Sequence, residues 1–143
     1  MRSIEPALPG LRTSAPARSV GLQWIADLSD CACEAEVLEQ ADTLEAICLA
    51  AVGHSGLVSV GCSFHQFEPS GATGVVLLAE SHLAIHTWPE LKFVAIDLYV
   101  CNFLADNTAK ARNLFDELLG ILKPGRPRHR HIQRRGATVA GEP

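Results

Sequence analysis

No stretch of this 143-residue chain approaches the ~18 consecutive apolar residues that a membrane-spanning helix requires. Its first twenty residues carry arginines and prolines but no apolar segment of the kind that drives secretion. A cytoplasmic protein is expected, with residues 1–19 as a flexible leader and residues 137–143 as a flexible tail. Cysteines are few and odd in number: Cys31, Cys33, Cys48, Cys62 and Cys101. That count, without a secretory signal, points to reduced thiols rather than a disulfide framework, and Cys31-Ala32-Cys33 is not a zinc-ribbon spacing. Gly-x-Ser-x-Gly is absent, which excludes the usual elbow of a serine hydrolase. Aromatic residues make up only 6% of the chain, and none interrupts the basic stretch Lys123 to Arg135. Nucleic-acid bases stack on such rings, so the stretch reads as a solvated edge strand and no nucleic-acid partner is expected. Residues 1–122 hold 6 basic against 15 acidic side chains, a net of −9, while residues 123–143 hold 6 against 1, a net of +5. The basic end thus balances an acidic body.

What remains is an ordinary soluble composition, 48% hydrophobic and 20% charged, at a length typical of one domain. Val20 to Leu28 reads as a strand. From Glu36 to Val52, apolar residues at Val37, Leu38, Ala41, Leu44, Ile47, Cys48 and Ala51 follow the i, i+3, i+4, i+7 pattern of an amphipathic helix. Leu57 to Phe67 reads as a strand with Val58, Val60, Cys62 and Phe64 on one side. Three more strands are expected at Val75–Glu80, His82–Trp88 and Phe93–Cys101. A second amphipathic helix spans Asn107–Leu122, and Arg128–Gln133 forms a last strand. The order β-α-β-β-β-β-α-β predicts an α+β two-layer sandwich over residues 20–136, its sheet rich in antiparallel pairs and both helices on one face.

The chemistry concentrates in Ala79 to Glu90, where a serine, two histidines, two carboxylates and a tryptophan share twelve residues. Strand alternation puts His82, Ala84, His86 and Trp88 on one face and Leu83, Ile85 and Thr87 on the other. Asp97, Tyr99 and Cys101 likewise oppose Ile96, Leu98 and Val100. The titratable face is a site, an interface or both. Three readings compete for it. His82, His86 and Cys101 suit zinc by type, but their spacing fits no zinc fingerprint well, and no metal is expected. The same residues could be satisfied structural groups. The third reading is nucleophilic: the Ser81 hydroxyl attacks the preceding carbonyl carbon, that of Glu80, and shifts the acyl group from N to O. Removal of the Ser81 Cα proton then eliminates the ester. The dehydroalanine left behind hydrolyses to a pyruvoyl group, and the chain is cut into 1–80 and 81–143.

Glu80-Ser81-His82-Leu83-Ala84-Ile85-His86-Thr87-Trp88-Pro89-Glu90 resembles the self-cleavage segment of prokaryotic, pyruvoyl-dependent S-adenosylmethionine decarboxylase proenzymes. The likeness continues through Ala95-Ile96-Asp97-Leu98-Tyr99-Val100-Cys101. It includes Phe64-His65-Gln66-Phe67, Gly71 to Gly74 and Arg135-Gly136, and so covers roughly residues 20–136. The resemblance implies that Glu80-Ser81 is the scissile bond, Ser81 the pyruvoyl precursor, and His86 the base for the Ser81 Cα proton. A hydroxyl eight residues before the cleavage serine assists, here Thr73 where serine is usual; threonine keeps the hydroxyl but stiffens χ1. Cys101 would return a proton to the α-carbon after CO₂ leaves, and thiols are largely protonated at neutral pH. Phe67 would stack on adenine, Glu90 would bind the ribose hydroxyls, and Trp88 would line the pocket and attract the sulfonium, worth ~0.5–2 kcal/mol.

The implied reaction condenses the substrate amine with the pyruvoyl ketone as a Schiff base, whose neighbouring amide carbonyl is the electron sink. The products would be S-adenosylmethioninamine and CO₂, serving spermidine biosynthesis, and the assembly a dimer of α/β heterodimers. Leu91-Lys92 departs from the aromatic-glycine pair common in relatives, and Asn102 from a common glycine. Homologues with the same cleavage motif decarboxylate arginine or ornithine, so those substrates are one alternative. An uncut, non-catalytic paralogue or binding module is another.

Overall fold

Alternation of period two gives a sheet with two unlike faces, and the computed structural model shows how each is used. It describes residues 19–103 and 105–136. The expected leader as far as Arg18 and the tail 137–143 lie outside the described residues; Ser19 already belongs to the first strand. The strands are β1 (Ser19–Cys31), β2 (Ser59–Gln66), β3 (Ala72–Leu78), β4 (Ser81–Trp88), β5 (Phe93–Cys101) and β6 (Pro124–Arg135). The helices are α1 (Ala35–Glu39), α2 (Ala41–Ser55) and α3 (Thr108–Leu122), and a 3-10 turn covers Pro89–Leu91. The strands form one six-stranded sheet in the order β2-β3-β4-β5-β1-β6, with every neighbouring pair antiparallel.

One face is the core. Leu83 and Ile85 of β4, Val94, Ile96, Leu98 and Val100 of β5, and Trp24, Ala26 and Leu28 of β1 are buried with Leu44, Cys48, Ala51 and Val52 of α2. From α3 the same cluster takes Ala111, Leu114, Phe115, Leu118 and Leu122, the i, i+3, i+4 stripe read in the sequence. Burying each of the larger aliphatic side chains contributes about 1.5–3 kcal/mol. Thr87 is the polar exception on this face. Its Oγ1 donates to the Leu38 carbonyl at 2.7 Å and accepts from the Ala72 N–H at 2.9 Å, tying α1 to β3 and β4.

Two expectations need correction. The single helix from Glu36 to Val52 is two helices, broken at Gln40, which is extended (φ −111, ψ 120). The cause is distant in sequence: Gln66 Oε1 accepts from the Ala41 N–H at 2.6 Å, and its Nε2 donates to the Glu39 carbonyl at 2.8 Å. One amide thus pairs the Ala41 donor at the break and shares the Glu39 carbonyl with the Gly71 N–H, which donates to it at 3.1 Å. Val58, just before β2, and Val60 within it are 66% and 64% exposed, and Cys62 is exposed as well; of the four residues expected on one side only Phe64 packs against the core. The register shifts between Ser59 and Gly61, and β2 is an edge strand with one neighbour.

Phe64 packs against the core and lies over Gly74, its partner across the β2–β3 pair. A Cβ at Gly74 would overlap the Phe64 ring. Gly74→Val should therefore destabilise by about 1–3 kcal/mol through overpacking. Thermal unfolding is expected to show a midpoint lower by at least about 3 °C, and an unchanged midpoint would refute the overlap.

Candidate active site

The hairpin between β3 and β4 closes on the pair Leu78–Ser81, which leaves Ala79 and Glu80 as a two-residue loop. Glu80 takes the left-handed conformation, φ +58, which costs a residue with a Cβ about 1–2 kcal/mol. The ladder below holds it there, with the Ala79 N–H donating to the Val58 carbonyl at 3.3 Å. Ser81 opens β4, half-buried. Its Oγ accepts the main-chain N–H of Cys101 at 2.9 Å. The last residue of β5 and the first of β4 thus meet across twenty residues of sequence. Cys101 follows Tyr99 and Asp97 in alternation and falls on the open face of the sheet, half-buried.

That open face carries the other groups. Thr73 and His86 are opposite each other in the β3–β4 register, and Oγ1 and Nδ1 are 2.9 Å apart. The His86 ring lies 6.3 Å from that of Trp88, which lies 5.3 Å from Phe93. Nearer Ser81, His82 Nε2 is 3.3 Å from Asp97 Oδ1, and Gln23 Nε2 donates to both Asp97 oxygens at 2.9 and 3.1 Å. Phe67, just past β2, is 46% exposed, its ring centre 4.8 Å from that of His65 in an edge-to-face arrangement. Glu90 is exposed in the turn after Trp88. A hollow of about 410 Å³ lined by Asp27, Ser29, Phe93, Arg126 and Arg128 holds none of the predicted site residues.

The structure therefore makes two half-sites. It joins Ser81 to Cys101 at one end of β4, and Thr73 to His86 in the other half of that strand. It does not bring the two together. Ser81 and His86 stand five residues apart on one extended strand, a span of roughly 16 Å. Trp88 lies further still, with Phe67 and Glu90 near that same end. Proton transfer needs a heavy-atom approach of about 3 Å, so His86 does not reach Ser81 within one chain. Sequence reasoning passed over Gln23 and Arg134, whose Nη1 donates to Gln23 Oε1 at 2.9 Å. Only the β1–β5 and β1–β6 registers reveal them.

Cys31 and Cys48 are set apart by burial, while Cys62 is exposed. Desolvation pushes the Cys48 thiol up to about 12. It also pushes Cys31 up to about 11, aided by the neighbouring Cys33 and Asp30. Neither offers a thiolate at neutral pH. Among the described residues, no group of three or more His, Cys, Asp or Glu side chains is placed to hold a metal ion. The basic stretch is β6, an edge strand. Its His129 and His131 rings approach Phe115 at 5.3 Å and Trp24 at 6.0 Å.

Comparison with known proteins gives a consistent result. The family model described as S-adenosylmethionine decarboxylase matches residues 22–135. The S-adenosylmethionine decarboxylase proenzyme of Persephonella marina is 40% identical over 109 residues, covering 76% of this chain and 77% of the relative. That of Picrophilus torridus is 34% identical over 116 residues, covering 81% and 85%. The crystal structure of the adenosylmethionine decarboxylase from Aquifex aeolicus superposes with a TM-score of 0.75 at 32% identity, covering 88% of this chain and 97% of that one. The readings as an arginine or ornithine decarboxylase, or as an uncut binding module, draw no support from these relatives.

Proposed function

This chain belongs to the S-adenosylmethionine decarboxylase family, enzymes that remove the carboxylate of S-adenosylmethionine as CO₂, and we propose that it does so after cutting itself between Glu80 and Ser81. The observation that carries the cutting step is the hairpin. Glu80 is held left-handed immediately before Ser81, and a main-chain N–H is aimed at the Ser81 oxygen. Attack of Oγ on the Glu80 carbonyl carbon breaks the peptide C–N bond, forms the ester and relaxes the strained residue. When a base takes the Ser81 Cα proton, the Cβ–Oγ bond breaks and Glu80 leaves as its carboxylate. The Cys101 N–H already points at the oxygen on which that charge develops, the placement that stabilises a leaving anion. Water then displaces ammonia from the dehydroalanine and leaves a ketone at the head of residues 81–143.

A ketone at that position, once formed, would hold the substrate amine, with the adjoining amide carbonyl as the electron sink for decarboxylation. Cys101 is the residue assigned to return the proton. It lies on the open face, and its own backbone is bonded to Ser81. Phe67, Trp88 and Glu90 are assigned to the adenosyl group, with Trp88 and Phe67 offering exposed ring faces.

A second copy completes the site in this reading. Two open faces related by a two-fold axis would set the Thr73–His86 pair of one chain over the Ser81–Cys101 pair of the other, producing two equal sites. The roughly 16 Å gap along β4 supports this arrangement. It would also cover Trp88 and Ile25, 39% and 38% exposed in one chain. After cutting, such an assembly is a dimer of α/β pairs. No helix among the described residues is long and apolar enough to cross a membrane, and polyamine synthesis in the cytoplasm is the setting proposed.

Intact-mass measurement after incubation tests the reading. Two fragments meeting at 80/81 are expected, the second lacking its N-terminal amine. CO₂ should be released from carboxyl-labelled S-adenosylmethionine and not from arginine or ornithine. A single mass that persists on prolonged incubation overturns it.

A further inference from the structure

We propose that His82, held by Asp97, is the positioning residue that keeps the head of residues 81–143 in place once the Glu80–Ser81 bond is cut. The inference rests on the self-cutting reading above. Cutting turns the middle of a hairpin into the end of a strand, and strand ends fray unless they are tied down.

In the uncut chain Ser81 is held three ways: by its bond to Glu80, by its pairing with Leu78, and by the hydrogen bond from Cys101 to Oγ. Cutting removes the first. Elimination removes the third, because Oγ departs with Glu80. What then remains next to the ketone is the ladder and the side chain of residue 82.

That side chain ends a polar relay that crosses four strands. His82 Nε2 faces Asp97 Oδ1 at 3.3 Å, and a carboxylate has no hydrogen to give, so Nε2 donates. Asp97 is itself fixed, since Gln23 Nε2 donates to both of its oxygens. Gln23 is fixed in turn by Arg134, which lies 5.3 Å from the Tyr99 ring centre. The His82 ring lies 5.8 Å from the same Tyr99 ring. β4, β5, β1 and β6 each contribute a member. The His82 and Asp97 side chains are 39% and 41% exposed in the single chain, and an ion pair that open to water adds little to stability. Stability is thus a weak reason for the relay, and fixing residue 82 beside the reacting atom is a stronger one. A second copy laid over this face would exclude water and strengthen every bond in it.

The experiment compares wild type with His82→Ala, His82→Gln, Asp97→Ala and the double variant His82→Ala/Asp97→Ala. Cutting is followed on gels, kcat and KM are measured on fully cut protein, and ketone exposure is read from the rate of reaction with phenylhydrazine. Cutting should proceed near the wild-type rate, because the uncut chain holds Ser81 without help. In the cut His82→Ala protein kcat should fall about tenfold or more, since a reacting group misplaced by ~1 Å loses up to ~10²-fold. KM should change less, and phenylhydrazine should react faster. His82→Gln, whose amide can still donate to Asp97, should recover most of the loss. The double variant should be no worse than either single one. Cut His82→Ala with wild-type kcat and hydrazine reactivity overturns the proposal. So does a loss of cutting, turnover and thermal midpoint in step. A wild-type chain that stays whole, with no hydrazine-reactive ketone, overturns the self-cutting reading itself and this inference with it.

Discussion

Ser81→Ala is expected to remain one 143-residue chain that releases no CO₂ from S-adenosylmethionine, and His86→Ala to remain largely whole as well. Produced together in one cell, the two should restore cutting, but only of the His86→Ala chain. Ser81→Ala lacks the nucleophile, so it has no route to the ester or the ketone. His86→Ala keeps the nucleophile and lacks the base, and general base catalysis contributes typically ~10²–10⁴-fold. In the proposed face-to-face dimer the Ser81 of one chain would sit under the His86 of the other, so one of the two sites would be complete. The test is mass spectrometry of the co-produced chains, distinguished by a tag on one of them. If His86 acted within its own chain, neither would be cut on mixing. That result would overturn the face-to-face assembly while leaving the role of Ser81 intact.

Cys101→Ser separates cutting from turnover. Cutting should continue at close to the normal rate, because the group that touches the Ser81 oxygen is the main-chain N–H of residue 101, which the substitution keeps. Turnover should fall by ~10²–10⁴-fold, because a hydroxyl is a far weaker acid than a thiol. The measurement is single-turnover CO₂ release on fully cut protein beside a gel of the cutting reaction. Full activity would remove Cys101 as the proton donor. Failure to cut would assign the side chain a part in the first reaction that its geometry does not show.

How far the sequence could be read depended on the range of the interactions. The two faces of β4 and β5 were legible because alternation is a property of neighbouring residues: Leu83, Ile85, Ile96 and Leu98 are buried, and His82, His86 and Asp97 are not. The stripe of α3 was legible for the same reason. The break at Gln40 was not, because the side chain that satisfies it lies 25 to 27 residues away, on a different strand. Val58 and Val60 looked like core residues, but the register shift and edge position of β2 expose them.

The site divides along the same line. Glu80-Ser81 could be proposed from sequence as a self-cutting bond because the chemistry is local, a hydroxyl beside the carbonyl that it would attack, and because the motif around it resembles a known cleavage segment. Thr73 and His86 were both named, and their 2.9 Å contact follows from the β3–β4 register. The sequence by itself determined the two-layer fold, the candidate residues for the chemistry, and the open face of the sheet on which His82, His86 and Cys101 stand. Only the tertiary structure decided which of them meet. An extended strand separates its residues by about 3.3 Å each, so five residues that look adjacent in a motif put His86 out of reach of Ser81. The pairing of strands distant in sequence puts Cys101 against it instead.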